Sequence, residues 1–363
     1  MSSPKSKITT AQATVIIINY MLAAGVLTLP RTVTEQTKSP DGWMSVLLGG
    51  GIAIIAGIVI VKLSQQYPKE TFYEYSGHIV GKWLGAFISL IFITYFLTLS
   101  AFEVRVMSEI VVFFLLEGTP SWAIVMTVLW IGLYSITQGL DPIARLFEMI
   151  FPVTVIIFLT VALMSIGIFE VNNLRPVLGD GIMPVLKGVK TTALSFTCSE
   201  IMLILVAFMK KPKKAVKAVI IGTGVVTCFY IITVVMVIGA ISVDGVVTRT
   251  WPALDLMRSF EISGLIFERF ESFLLVIWIM QLFATFTITF YAASLGVSQV
   301  FKKKPISCMF GLLPVVFILS CMPKNENDVF ILGDLVSNLA LYIFGALPIL
   351  LLVISKWRKR GET

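Results

Sequence analysis

Residues 11–30 read AQATVIIINYMLAAGVLTLP, an apolar stretch long enough to span a bilayer, yet its middle holds Ala23-Ala24-Gly25 and its end holds Pro30. Gly loosens a helix, and Pro cannot donate the next backbone hydrogen bond. Inside a membrane such a break persists only where protein or a cavity satisfies the freed backbone groups. A second break is expected about half the chain later, where Ser195-Phe196-Thr197-Cys198-Ser199-Glu200 interrupts another apolar run. Two broken helices at matching positions in two halves mark a midplane ligand site in a membrane fold built from inverted repeats.

The rest of the composition agrees with a membrane chain. Hydrophobic residues make up 57% of the 363 and charged residues 13%, with a mean hydropathy of +0.94. A soluble domain cannot hide that much apolar surface. At roughly 20 residues per crossing, ten segments qualify as spans: 11–35, 43–66, 84–115, 120–138, 149–169, 184–209, 214–241, 269–299, 306–321 and 329–355. The expected fold is therefore an all-α integral membrane domain over 1–363, with pseudo-repeat halves 1–169 and 170–363. The leading MSSPKSK does not read as a signal peptide, because no small-residue cleavage site follows a short apolar run.

The net charge of +7 is explained by topology rather than by nucleic acid. With the N-terminus inside, the inner loops collect Lys5, Lys7, Lys62, Lys69, Lys82, Arg145, the Lys210–Lys217 cluster, Lys302-Lys303-Lys304 and the Lys356–Arg360 tail. This positive-inside bias places both termini in the cytoplasm and expects contact with membrane lipid. The four cysteines, at 198, 228, 308 and 321, lie in or beside apolar segments without metal or disulfide spacing, and His78 is the single histidine. No metal, no cofactor and no nucleophile–base set is expected, so an enzyme is disfavoured.

Two loops carry amphipathic patterns. In ETFYEYSGHIV (70–80), Phe72, Tyr73 and Ile79 are expected on the inner membrane surface, with Glu70 and Glu74 facing water. After Trp251-Pro252, Leu254, Met257 and Phe260 recur at helical spacing. Each loop follows the second span of its half, as an inverted repeat requires.

The residues able to bind a ligand follow from the breaks. Small residues around Gly25 let the backbone open, exposing N–H groups on one half-helix and carbonyls on the other. Thr197 belongs to the second break. Glu200, well within the membrane, is an ionisable group placed at high cost, so it binds an ammonium, takes up a proton or braces the helix. In span 3, Tyr95, Leu99 and Phe102 form a stripe suited to a pocket wall. Farther along, Glu103, Arg105 and Glu109 read as a structural ion network, with Arg105 and Glu109 four apart. In span 8, Thr285 and Thr289 share one face and either line a polar cavity or bond back to their own helix. The expected site thus comprises Gly25, Tyr95, Leu99, Thr197, Thr285 and Thr289, between spans 1, 3, 6 and 8. Its mostly apolar wall favours a small neutral amino acid.

Several strings resemble the B subunits of bacterial spore germinant receptors. They are Leu29-Pro30-Arg31, Asp41-Gly42-Trp43, Phe102-Glu103-x-Arg105, Asn172-Asn173-Leu174-Arg175-Pro176-Val177-Leu178-Gly179 and Glu268-Arg269-Phe270-Glu271-Ser272. The likeness covers essentially the whole chain. That family is similar to the amino acid–polyamine–organocation transporters, whose leucine-transporter-like fold has five plus five inverted spans. In it, Gly25 matches the glycine of the unwound first helix, and Ser195-Phe196 followed by Glu200 resembles the broken sixth helix. The resemblance implies a subunit in the inner membrane of the dormant spore. Such a subunit recognises a small nutrient and signals germination to a membrane-embedded A subunit and a C lipoprotein. A proton-coupled amino acid permease is the alternative reading, and a gene standing apart from those partners' genes would favour it.

Overall fold

The computed structural model describes residues 7–197, 199–258 and 271–361. Cys198, Phe260 and the string Glu268-Arg269-Phe270 lie outside the described residues, as does Lys5. The described chain is helical: α1 (Thr10–Thr37), α2 (Gly42–Ser64), α3 (Phe72–Val80), α4 (Lys82–Phe114), α5 (Ser121–Ile136), α6 (Leu140–Ser165), α7 (Met183–Ser195), α8 (Met202–Phe208), α9 (Ala215–Ile241), α10 (Val243–Val247), α11 (Pro252–Arg258), α12 (Glu271–Phe301), α13 (Pro305–Cys321), α14 (Glu326–Gly345) and α15 (Leu347–Gly361).

Five of these segments are long and apolar enough to cross a membrane: Gly42–Ser64, Lys82–Phe114, Leu140–Ile168, Pro212–Ile241 and Leu275–Phe301. The pair Thr10–Ala23 and Gly25–Thr37, bent by 53°, makes a sixth. The expected spans at 120–138 and 306–321 are shorter helices, α5 and α13. The one at 184–209 divides into α7, a 3-10 turn at Ser199–Ile201 and α8. The one at 329–355 divides at Gly345-Ala346 into α14 and α15, where Pro348 suits a helix start and not a helix interior. The fifth span begins at Leu140 rather than near 149. Large apolar side chains cover the outer faces, with Trp83 89% and Leu163 68% exposed, as a lipid-facing surface requires.

α1 starts with a capping box, Thr9 Oγ1 accepting from the Gln12 N–H at 3.2 Å and Gln12 Oε1 accepting from the Thr9 N–H at 2.8 Å. The break sits at Ala23, whose φ of −43° and ψ of −110° are non-helical. Pro30 is carried inside the second half of α1 without ending it. The start of α1 meets the end of α8. The Ile8 N–H donates to the Phe208 carbonyl and the Lys210 N–H to the Ile8 carbonyl, both at 2.8 Å. Spans 1 and 6 therefore run in opposite directions, side by side, with their breaks between.

α3 departs from the expected surface helix. Phe72, Tyr75 and Ile79 are buried, the Phe72 ring stacks on Phe92 of α4 at 4.1 Å, and the Tyr73 hydroxyl donates to the Ala292 carbonyl of α12 at 3.0 Å. Its apolar face is covered by protein instead of lipid. The close approach of α3 and α4 depends on Gly85, since a Cβ there would lie 2.6 Å from the Gly77 Cα and N. Backbone atoms cannot yield as a side-chain tip can. Gly85→Ala is therefore expected to destabilise by about 1–3 kcal/mol through overpacking. Gly51→Ala, with nothing within 4 Å of its new methyl, serves as the control. Thermal unfolding of both purified variants in detergent checks this; equal melting temperatures would show that α3 shifts freely.

Candidate functional site

A helix broken in an apolar interior leaves carbonyls that need donors. In α1 they find side chains of two other helices. The Tyr230 hydroxyl of α9 donates to the Met21 carbonyl, and Thr285 Oγ1 of α12 lies 3.5 Å from the Tyr20 carbonyl. The Tyr230 hydroxyl also lies 3.5 Å from the Ser195 carbonyl at the end of α7, and its ring packs on Phe196 with centroids 5.1 Å apart. One phenol thus joins both breaks. Gly25 is the position that admits it, because a Cβ there would collide with the Tyr230 hydroxyl. The break itself belongs to Ala23, two residues earlier than the glycine.

A cavity of about 160 Å³ opens at the meeting of the two breaks. Gly25, Tyr95, Leu99 and Thr197 stand in its wall, as does Phe102. Thr285 and Thr289 do not. Thr289 Oγ1 donates to the Thr285 carbonyl at 2.8 Å and accepts from Ser100 Oγ at 2.8 Å. The α12 hydroxyls therefore bind helix to helix. The fourth wall is α14, which contributes Phe330, Asp334 and Ser337, with Trp251 beside it.

Glu200 is 1% exposed and is not part of the wall. Its Oε1 accepts from the Tyr20 hydroxyl at 2.8 Å and from the Tyr95 hydroxyl at 3.0 Å. Tyr20 and Tyr95 both line the cavity, so Glu200 holds two of its wall residues from behind. It also ties the first half of α1 and the middle of α4 to the 3-10 turn before α8.

The expected ion network on α4 is only partly formed. Arg105 pairs with Glu109, as their spacing requires. Glu103 stands apart from that pair and lines the cavity, 4% exposed, with Oε2 buried and without a hydrogen-bond partner. Positions two apart on a helix project to different sides, so Glu103 and Arg105 cannot meet.

A smaller cavity, about 60 Å³, lies behind Leu22 and Val26, on the other side of the α1 break. Its polar end is the Gln281 amide, whose Nε2 donates to Asn19 Oδ1 and Thr154 Oγ1 at 2.7 Å each. It carries no ionisable residue and only one of the two breaks, so the larger cavity is the candidate site.

Sequence reasoning missed Tyr20, Tyr230 and Asp334 at this site. Asp334 carried the signal that singled out Glu200, an acid within an apolar span, FILGDLVSN. Tyr230, one aromatic among many in α9, carried none.

The fold is that of solved membrane proteins. A crystal structure of MhsT in complex with L-phenylalanine superposes with a TM-score of 0.73 over 94% of this chain and 89% of that one, at 12% identity. Mhp1, a nucleobase-cation-symport-1 family transporter in a closed conformation with bromovinylhydantoin bound, gives 0.73 over 96% and 78%, at 11% identity. These likenesses show the leucine-transporter-like fold, with its inverted repeat and broken first and sixth helices. At the level of sequence, the chain is 88% identical to spore germination protein YndE of Bacillus subtilis (strain 168) over the full length of both. It is 39% identical to spore germination protein A2 over 98% of each chain, and 35% identical to spore germination protein B2 over 92% of each, both from the same organism. Residues 7–329 match the spore permease model, described as spore germination protein, and the chain is a multi-pass membrane protein belonging to that family.

Proposed function

We propose that this chain is the nutrient-sensing B subunit of a spore germinant receptor. It holds a small neutral amino acid in the cavity between the two helix breaks. Gly25, Tyr95, Leu99 and Thr197 face the ligand; Thr285 supports the broken backbone of α1 from behind, and Thr289 ties α12 to Ser100 of α4. The observation that carries this reading is a ligand-sized cavity at the junction of both breaks, in a member of a germination family. At about 160 Å³ it lies below the roughly 300–1,000 Å³ of sites for drug-sized molecules.

In this reading 1–363 is one membrane domain made of halves 1–169 and 170–363, with both termini cytoplasmic, in the inner membrane of the spore. Ligand closure shifts the equilibrium between two conformations by its differential affinity for them. The shift is passed to an A subunit in the membrane and a C lipoprotein. No catalytic step is involved. The transporter fold supports a second reading, a proton-coupled amino acid permease.

Spores carrying or lacking this gene, exposed to single L-amino acids, test the proposal. A nutrient response that follows the gene is expected. Proteoliposomes of the purified chain should show no concentrative uptake of the same amino acid. Uptake driven by a proton gradient, without any effect on germination, would replace the receptor by the permease.

A further inference from the structure

We propose that Glu103 supplies the counter-charge for an ammonium group on the ligand, so that the cavity takes amine-bearing nutrients and rejects acids without an amine. This rests on the cavity being the nutrient site.

The charge of the wall points this way. Its ionisable lining groups among the described residues, tyrosines aside, are two acids, Glu103 and Asp334, and no Lys, Arg or His. The nearby cations are engaged elsewhere. Arg105 pairs with Glu109. Arg31 pairs with Glu35 at 2.8 Å and lies over the Phe330 ring, 5.7 Å from its centroid. An α-amino acid's ammonium entering this space meets negative charge only.

Glu103 itself is built as an unfinished pair. A carboxyl group inside a membrane helix is costly unless it is paired or hydrogen-bonded. Glu103 is 4% exposed and Oε2 has no partner. Glu200, the other buried acid near the cavity, is in the opposite condition, since Tyr20 and Tyr95 already donate to it. An ammonium brings three donors and a positive charge to the acid that lacks both. Position agrees with chemistry. Glu103 follows Leu99 by one turn of α4, about 6 Å along the axis, on the same wall.

Two readouts test this on the full-length chain, with Cys198, Cys228, Cys308 and Cys321 replaced by alanine and Ser337→Cys as a reporter in the wall. In the first, the reporter is labelled with cationic 2-aminoethyl methanethiosulfonate and with anionic 2-sulfonatoethyl methanethiosulfonate. In Glu103→Gln the cationic reagent should slow and the anionic one quicken by about an order of magnitude each, so that the ratio of the two rates falls by about two orders of magnitude, as for charges about 10 Å apart at an effective dielectric near 20, and the ratio should persist in Glu103→Asp. In the second, L-alanine and L-valine are compared with propionate and isovalerate for protection of the reporter from neutral methyl methanethiosulfonate. The amino acids should protect at concentrations about tenfold lower or better, as for a hydrogen bond to a charged group, and Glu103→Gln should abolish that preference. Unchanged protection by the amino acids in Glu103→Gln, or an unchanged labelling ratio, overturns the assignment. Failure of every amino acid to protect, with the labelling ratio still set by Glu103, supports the role of Glu103 and sinks the amino acid ligand instead.

Discussion

On the proposed function, spores in which this chain carries Gly25→Ala are expected to need ten- to a hundredfold more nutrient than wild type, at equal levels of the chain by immunoblot. The cause is contact, since the new methyl occupies the place of the Tyr230 hydroxyl. The phenol must then leave the Met21 carbonyl, which stays buried at the break in α1. A buried polar group left unsatisfied costs about 1–3 kcal/mol, and every 1.4 kcal/mol is about a factor of ten. Because Tyr230 also reaches Ser195 and packs on Phe196, the disturbance spreads to the second break. The double variant Gly25→Ala/Tyr230→Phe removes the atom that collides while keeping the ring. It should recover part of the response, though not all, because the Met21 carbonyl still lacks its donor. A double variant no better than Gly25→Ala alone would show that the collision is not the cause. Superimposable curves for Gly25→Ala and wild type would reduce Gly25 to a packing residue.

That mechanism differs from the one the sequence suggests, and the difference shows what a sequence can carry. Ala23-Ala24-Gly25 marks the first break correctly to within two residues, because small residues and a long apolar run are local signals. The conformational departure nevertheless falls on Ala23. Gly25 is required by a phenol from a helix some 200 residues away, and no spacing rule encodes that approach. The second break was legible for the same local reason, a run of hydroxyls and a carboxyl in an apolar span. The division of the last span at Gly345-Ala346 and the burial of α3 were not. In α3, Phe72, Tyr73 and Ile79 read as membrane-facing because periodicity reports an apolar face without naming what covers it. Two of the strings that carried the family resemblance hold ties between segments. Asp41, at the start of α2, accepts the Leu178 N–H at 3.1 Å, and Asn173 Nδ2 donates to the Gly239 carbonyl at 2.8 Å.

The site was half legible for a related reason. Tyr95 and Leu99 reached the cavity because α4 is uninterrupted from Lys82 to Phe114 and its stripe obeys helical spacing. Thr285 and Thr289 have the same spacing, but their hydroxyls find partners on α1 and α4. Hydroxyls in a membrane helix serve either a cavity or a neighbouring helix, and sequence alone leaves that choice open. Spacing already turns Glu103 to a different side from Arg105 and Glu109; what it did not reveal is that this side is the cavity wall. A partner in space, Glu109 for Arg105, decides which of these acids joins the ion pair.

Glu200 gives the largest contrast between two substitutions at one position. Both the Tyr20 and the Tyr95 hydroxyl donate to its Oε1. Glu200→Gln keeps a carbonyl oxygen able to accept from both, so the subunit should accumulate near wild-type levels. Glu200→Leu takes this acceptor away from two buried phenols, at about 1–3 kcal/mol each. The sum is a large part of the stability of an ordinary fold, so little folded protein is expected. Adding Tyr20→Phe and Tyr95→Phe to Glu200→Leu removes the stranded donors, and replacing all partners by apolar groups is far less costly than removing one. The triple variant should therefore recover abundance, and the non-additivity measures the strength of the network. Detergent-extracted subunit levels and melting temperatures read this directly. Nutrient curves for Glu200→Gln decide what the carboxylate adds beyond bracing. A response close to wild type means that Glu200 serves to hold the two tyrosines of the cavity wall. A response lost at normal abundance means that its charge itself takes part, as a proton or ammonium site beneath the cavity.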